Sequence, residues 1–363
     1  MALNDRLLDR FIQHDLNLQR LQAGQRRLLL KELKALEAQI VKTLQSYTGQ
    51  TFTKARQQAL LRQVRATIQT GYRGILKTHQ TEVLAMAEFE AEHIGALVNR
   101  TAKVTVFSVG VPESVVNSLL KDDAVLGAPL RAIWAQEAGA LNQAFISAMR
   151  QGILAGETTD QLVRRVQGTK ALQYKDGIMN PRTRAVEMRV RTSAQSILND
   201  ARMEVFKNNG DVLNGVQAQV TLDDRTSAIC MARSGFAWDL EGNPLEGTDT
   251  DEDFPGPPPW HPNCRTTLTP IVKSLGELVE DKAVDKKVDR ALRHLPERTQ
   301  ASMDGQVPRS LTYEEWLNTK SDAAQQEILG PGKYTLWKAG KISLRDLIDQ
   351  RGNPLTLQQL RKL

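Results

Sequence analysis

Leu29, Leu33, Leu36, Ile40 and Leu44 recur at intervals of three and four, which places all five on one side of an α-helix. Helical apolar spacing of this kind extends from Leu7 to about Val98. Thr48-Gly49 interrupts it, Gly71 is a second expected break, and a further helix is predicted over Thr81–Val98. A pattern this long predicts antiparallel helices extended enough to project from a compact body.

The remainder alternates between helical and irregular stretches. Residues 101–128 hold Val104, Val106, Phe107, Val109 and Val111 between Pro112 and Gly127-Ala128-Pro129, and read as a connector with a short strand or two. Helices are predicted from Pro129 to Gly152 (inward face Trp134, Leu141, Phe145, Met149), through Val166 after a Thr158-Thr159 cap, and over Arg182–Asn208. Asn208-Asn209-Gly210 ends the last of these. Residues 215–222 alternate apolar and polar as a strand does, and Phe236-Ala237-Trp238 and Thr266–Thr269 are two more strand candidates. Glu246–Pro259, acidic and then proline-rich, is an expected exposed loop, and the tail from Thr312 is helical in short pieces. The predicted fold class is therefore mainly α with a small β-containing module (α+β). Its parts are a basic helical arm (1–100), a helical domain with a short connector (101–210), a small β-containing core (211–300) and a helical tail (301–363).

Charge is concentrated in the arm. Residues 1–80 hold 14 lysines and arginines against 5 acidic residues, a surplus of 9, whereas the whole chain carries +6. Arg26, Arg27, Lys31, Lys34, Lys54, Arg56, Arg62 and Arg65 are the candidate contacts to DNA phosphates or to an acidic protein surface; a solvated helical face is the competing reading. Few aromatics interleave with them, so a base-stacking platform is not expected there. No apolar run is long enough to span a membrane. The first residues lack a secretory pattern, and two cysteines in 363 residues point to a reducing compartment.

Both cysteines fall in segments that carry chemistry. Cys230 follows Asp223-Asp224-Arg225-Thr226, and Cys264 ends His261-Pro262-Asn263-Cys264. Thiolate and imidazole suit zinc, and a structural site wants four tetrahedral ligands. Cys230, His261 and Cys264 would supply three, and a carboxylate, Asp223 or Asp224, the fourth. Two buried thiols beside a histidine that hydrogen-bonds its loop is the other main reading, and a Cys230–Cys264 disulfide the third. No catalytic set is expected. His261 lacks the partner histidines of a His-Asn-His nuclease, the next being His294, and no orienting group accompanies a Cys–His pair. Asp249-x-Asp251-x-Asp253 fails as a calcium loop because Phe254 and Trp260 stand where glycine and glutamate are required.

Asp223-x-Arg225-Thr226-x-x-x-Cys230 followed by Pro258-Pro259-x-His261-Pro262-Asn263-Cys264-Arg265 resembles the signature of the phage Mu F-like minor head proteins, also called phage head morphogenesis proteins. The helix with Trp134, Gly152 and Gly156-Glu157, the run Val190-Arg191-Thr192, and the tail with Trp316-Leu317, Gln325-Gln326, Leu329-Gly330, Leu336 and Gly340 extend the resemblance over roughly residues 130–363. Three positions depart from it. Ser227 and Thr266 stand where members often carry further cysteines, and Ser193 where they carry glutamate, so two thiolates that would favour zinc are missing. The resemblance implies a structural, non-enzymatic virion protein of a tailed bacteriophage, assembled in the host cytoplasm and present in several copies. Its implied place is at the portal or capsid interior, where it would assist head assembly, DNA packaging or delivery. Its implied partners are the portal protein, inner capsid proteins and packaged DNA. An ejected virion protein acting during genome delivery and a nucleic-acid-binding zinc module are the alternatives.

Overall fold

The apolar stripe forms one face of α1 (Leu3–Gln45), and a turn over Thr48-Gly49 leads into α2 (Lys54–Ala102). The computed structural model describes residues 3–108, 118, 128–278, 299–303, 305–308 and 311–363. Gly71 does not break α2, contrary to expectation. A Cβ there would lie 2.8 Å from Leu36 Cδ1, so the missing side chain makes room for one leucine of the α1 stripe. That packing offsets the modest cost of glycine in a helix interior.

Next come α3 (Leu130–Leu154), α4 (Thr159–Gln167) and α5 (Met179–Lys207). Thr158 caps α4 in a reciprocal box with Gln161, satisfying amides that the first turn leaves free. Two compact units divide the described residues, one drawn from Gln19–Met86 and Asn117–Ala194, the other from Met1–Leu18, Ala87–Val116 and Gln195–Leu363.

In the first unit, Leu29, Leu36, Ile40 and Leu44 meet Leu60, Val64 and Ile68 of α2, Trp134, Leu141 and Phe145 of α3, and Val186 and Val190 of α5 in one core. Each large side chain buried there contributes about 1.5–3 kcal/mol. His79 is sealed within this unit, where Trp134 Nε1 donates to its Nδ1 at 3.0 Å and its Nε2 meets Ser193 Oγ at 2.9 Å. Burial pushes its pKa down to about 3, so the ring is neutral.

The second unit holds a three-stranded antiparallel sheet. β1 (Leu213–Gln219) lies between β2 (Ala237–Trp238) and β3 (Thr267–Val272), with Val216 opposite both Trp238 and Pro270. α6 (Ala228–Ala232) connects the first two strands. β1 starts two residues earlier than its alternation suggested and ends at Gln219. Gly215 is required here, because a Cβ would stand 2.0 Å from the Trp238 carbonyl oxygen. The short pieces that follow are α7 (Leu275–Leu278), a hairpin of β4 (Thr299–Ser302) and β5 (Gly305–Pro308), then α8 (Tyr313–Asn318), α9 (Asp322–Leu329), α10 (Pro331–Lys338) and α11 (Leu357–Leu360).

Two expectations need correction. Val104, Val106 and Phe107 form no strand. Asn99 clasps that stretch instead, accepting from the Val106 and Phe107 amides at 2.7 Å each and donating to the Phe107 carbonyl at 2.8 Å. Val109, Val111, Pro112 and Gly127 lie outside the described residues. The Glu246–Pro259 loop is exposed only in its first part. Trp238 Nε1 donates to the Glu252 carbonyl at 2.8 Å, Glu252 pairs with buried Arg233, and Pro258 and Pro259 are buried.

Candidate functional site

Two turns bring both sulfurs and an imidazole together. Ser227 caps α6, its Oγ accepting from the Cys230 amide at 3.3 Å, which aims the Cys230 side chain inward from the first helical turn. Cys264 is set by a tight turn in which its amide donates to the His261 carbonyl at 3.1 Å, with Asn263 in the left-handed region at φ 62°. Asparagine tolerates that conformation better than most residues.

The donor atoms of Cys230, His261 and Cys264 all lie within 4.8 Å of one another. The two sulfurs are 3.6 Å apart and unbonded. His261 Nε2 lies 3.1 Å from Cys230 Sγ and 2.8 Å from Ser227 Oγ, while its Nδ1 donates to the Pro262 carbonyl at 2.8 Å. That backbone bond fixes the ring so that Nε2 faces the sulfurs, the usual support of a metal-ligating histidine. Thr266 Oγ1 donates to Cys230 Sγ at 3.1 Å.

The cluster suits a soft cation. Tetrahedral zinc at about 2.3 Å from sulfur and about 2.0 Å from nitrogen places its donors roughly 3.5–3.8 Å apart. The sulfur pair already has that separation, and the imidazole would withdraw by a few tenths of an ångström. Electrostatics favour thiolate. A hydrogen bond from the Cys230 thiol, together with His261, outweighs burial and brings Cys264 down to about 4. The same bond and burial hold Cys230 well above the ordinary thiol value. Burial opposes the charge on His261, but the hydrogen bond and negative charge of Cys264 prevail and raise its pKa. The two thiols are thus shifted in opposite directions, and the proton is held on Cys230 in preference to Cys264.

Asp223 is not brought into this set. Arg265 grips its carboxylate through two bonds of 2.6 Å, and Thr226 Oγ1 and the Arg225 amide each donate to it at 3.1 Å. Burial works to raise the Asp223 pKa, but Arg265 outweighs it and holds the group below the usual carboxylate range. Tyr313 Oη donates to the Asp223 carbonyl at 2.7 Å, so this clamp ties the cysteine segments to the tail. Asp224 is exposed, its carboxylate 4.0 Å from Arg225. The hydroxyls of Ser227 and Thr266 stand against the cluster instead. Their signal lay in the sequence, as the two positions that depart from cysteine.

One core encloses both cysteines with Met231 and the tail residues Tyr313, Trp316, Leu317, Leu329, Trp337, Leu344, Leu347 and Leu360. From α5, Gln195 donates to the Thr266 carbonyl at 3.0 Å and Asn199 to the Pro258 carbonyl at 2.9 Å, pinning the second cysteine segment from another side.

Residues 143–269 match the family model described as phage Mu protein F like protein. The chain carries a Mu F-like segment. It takes in about a third of the chain and encloses all three donor residues, while the tail that shares their core lies beyond it. The match suggests a phage head morphogenesis protein, structural rather than enzymatic, that resides in the virion with capsid-related partners. Comparison with curated proteins and with solved structures found no match. No helix of the described residues is long and apolar enough to cross a membrane.

The eight basic residues singled out in the arm all belong to the unit that contains Gln19–Met86. Arg27, Lys31, Lys34, Lys54, Arg56, Arg62 and Arg65 are exposed on α1 and α2, whereas Arg26 is half-buried with Glu187 3.9 Å away.

Proposed function

We propose that this chain is a minor head protein of a tailed bacteriophage, docked at the portal or inner capsid wall, where it assists head assembly and passage of the genome. The observation that carries this reading is the family match over a segment containing the Cys230–His261–Cys264 cluster. In it the cluster serves as the anchor of a rigid hub. Four features support that role: the sulfurs, the Asp223–Arg265 clamp, the Tyr313 bond and the shared tail core all bear on the same few residues. Arg26, Arg27, Lys31, Lys34, Lys54, Arg56, Arg62 and Arg65 are the residues that would meet packaged DNA or an acidic portal surface.

Zinc is the metal the donor set fits. Cys230, Cys264 and His261 would hold it, with Ser227 Oγ 2.8 Å from the imidazole Nε2. A bound ion would cross-link two segments of chain and stabilise the fold without supplying a reaction.

Mass spectrometry of purified mature particles tests the assignment. The protein is expected at low copy with the portal, and its absence from particles overturns the reading. Recovery of the protein inside cells after infection would instead favour the ejected role, and salt-sensitive DNA binding without portal binding the free zinc module.

A further inference from the structure

The unit that holds the cluster has a second concave feature, which the Mu F-like segment does not include. The N-terminal turns of α1 and the last turns of α2 enclose a cleft of about 540 Å³. Four fixed cations line it, Arg6 and Arg10 from α1, Arg100 from α2, and Lys103 just beyond. Among the described residues no carboxylate lines it. Arg6 Nε is buried without a hydrogen-bond partner among the described residues, an uncommon condition for a guanidinium nitrogen.

The cleft also has a wall of rings. Phe89 is 45% exposed, a large aromatic left open to solvent. His93 stacks on it at 5.1 Å between centroids, and His14 stacks on His93 at 4.4 Å. His14 is held from behind, where its Nε2 donates to Glu90 at 2.5 Å. The Glu90 charge is answered by Arg202, so it does not cancel the cations of the cleft.

We propose that this cleft binds a nucleotide unit, with its phosphate among Arg6, Arg10, Arg100 and Lys103 and its base against Phe89 and His93. Cations with no carboxylate among the described lining residues call for an anion, and an exposed ring stack calls for a flat partner. A nucleotide combines both in one ligand of suitable size. An acidic peptide would satisfy the cations but leave the rings unused. None of these residues is among the eight basic residues of the other unit, and the cleft's chemistry does not depend on the head-protein assignment. Aromatics are sparse among the first 80 residues. The rings that matter, Phe89 and His93, lie beyond them and are brought to Arg6 and Arg10 only by the fold.

The test uses the full chain and fluorescence anisotropy of a labelled short single-stranded oligothymidylate across a salt series. Thymidine monophosphate, inorganic phosphate and polyglutamate serve as competitors. Arg10→Glu/Arg100→Glu is expected to weaken binding at least tenfold and to lower the salt slope by about 1.4, the share of two single-strand phosphates. Phe89→Ala is expected to weaken it about fivefold or more, the loss of one stacking contact. Both variants alter exposed side chains, so circular dichroism should be unchanged. Strong competition by the monophosphate assigns the site to a free nucleotide; weak competition assigns it to a strand. Three results would overturn the proposal: Phe89→Ala binding as tightly as the parent, polyglutamate or phosphate competing as well as the nucleotide, or loss confined to Lys34→Glu/Arg62→Glu. The last would leave the basic arm standing as the DNA contact.

Discussion

Replacing Arg202 with methionine should destabilise the protein by about 3 kcal/mol, and the damage should shrink in acid. Arg202 is 1% exposed and makes four polar contacts to three groups. Its Nε donates to Glu90 Oε1 at 2.7 Å, one terminal nitrogen to Asp15 at 2.8 Å and to Glu90 at 2.5 Å, and the other to the Leu268 carbonyl of β3 at 3.2 Å. Methionine fills the space of the stem but leaves the Glu90 carboxylate, fully buried, without its cation. Removing one partner of a buried ion pair costs about 3–5 kcal/mol. The lower end applies, because His14 still donates to Glu90 and Asp15 keeps some access to solvent. Calorimetry and urea unfolding of Arg202→Met, Glu90→Leu and the double variant measure this. The double variant should recover most of the loss, a coupling of about 2 kcal/mol.

The pH dependence follows from the same residues. In the parent protein burial pushes the Glu90 pKa up, but Arg202 and His14 prevail and lower it. Its contribution is therefore intact above the unfolded glutamate value of about 4.3 and is lost only as pH falls below that. Without Arg202 burial wins and the folded pKa rises. The deficit of Arg202→Met should then be largest near neutrality and diminish as pH drops towards about 5. A loss under about 1 kcal/mol, or a deficit that does not change with pH, would refute this reasoning.

Other outcomes follow from the cluster and the sheet. Ser227→Cys/Thr266→Cys puts two more sulfurs where hydroxyls already touch His261 and Cys230; zinc affinity should rise at least tenfold by competition with a chromogenic chelator, and unchanged affinity would show that these positions do not face the site. Gly215→Ala drives a methyl group into the Trp238 carbonyl, so β2 must separate from β1; a fall in thermal midpoint of several degrees is expected, and an unchanged midpoint would contradict the register.

Local pattern made the helices legible. The Leu29–Leu44 stripe, the inward faces of α3 and α5 and the Thr158 cap all depend on neighbours three or four residues away, so periodicity alone suffices. Gly71 misled because its reason lies across the helix pair, at Leu36. The cysteine segments were legible as a pair because a soft-ligand pattern with proline-stiffened spacing is rare. The identity of their near neighbours was less so. Asp223 was the natural fourth ligand by type, but Arg265, forty-two residues on, claims its carboxylate. The Arg202–Glu90–His14 network was invisible for the same reason. Its members are 112 and 76 residues apart, and nothing in the spacing of a single buried arginine names its partners.

Two segments thirty-odd residues apart close on one another around both sulfurs. Mild oxidation of the native protein with copper phenanthroline, followed by proteolysis and peptide mass mapping, tests it most directly. With the sulfurs 3.6 Å apart, the expected product is an intramolecular disulfide linking the Cys230 and Cys264 peptides, two hydrogens lighter than their sum. Separately oxidised thiols, or disulfides that join different molecules, would contradict the account.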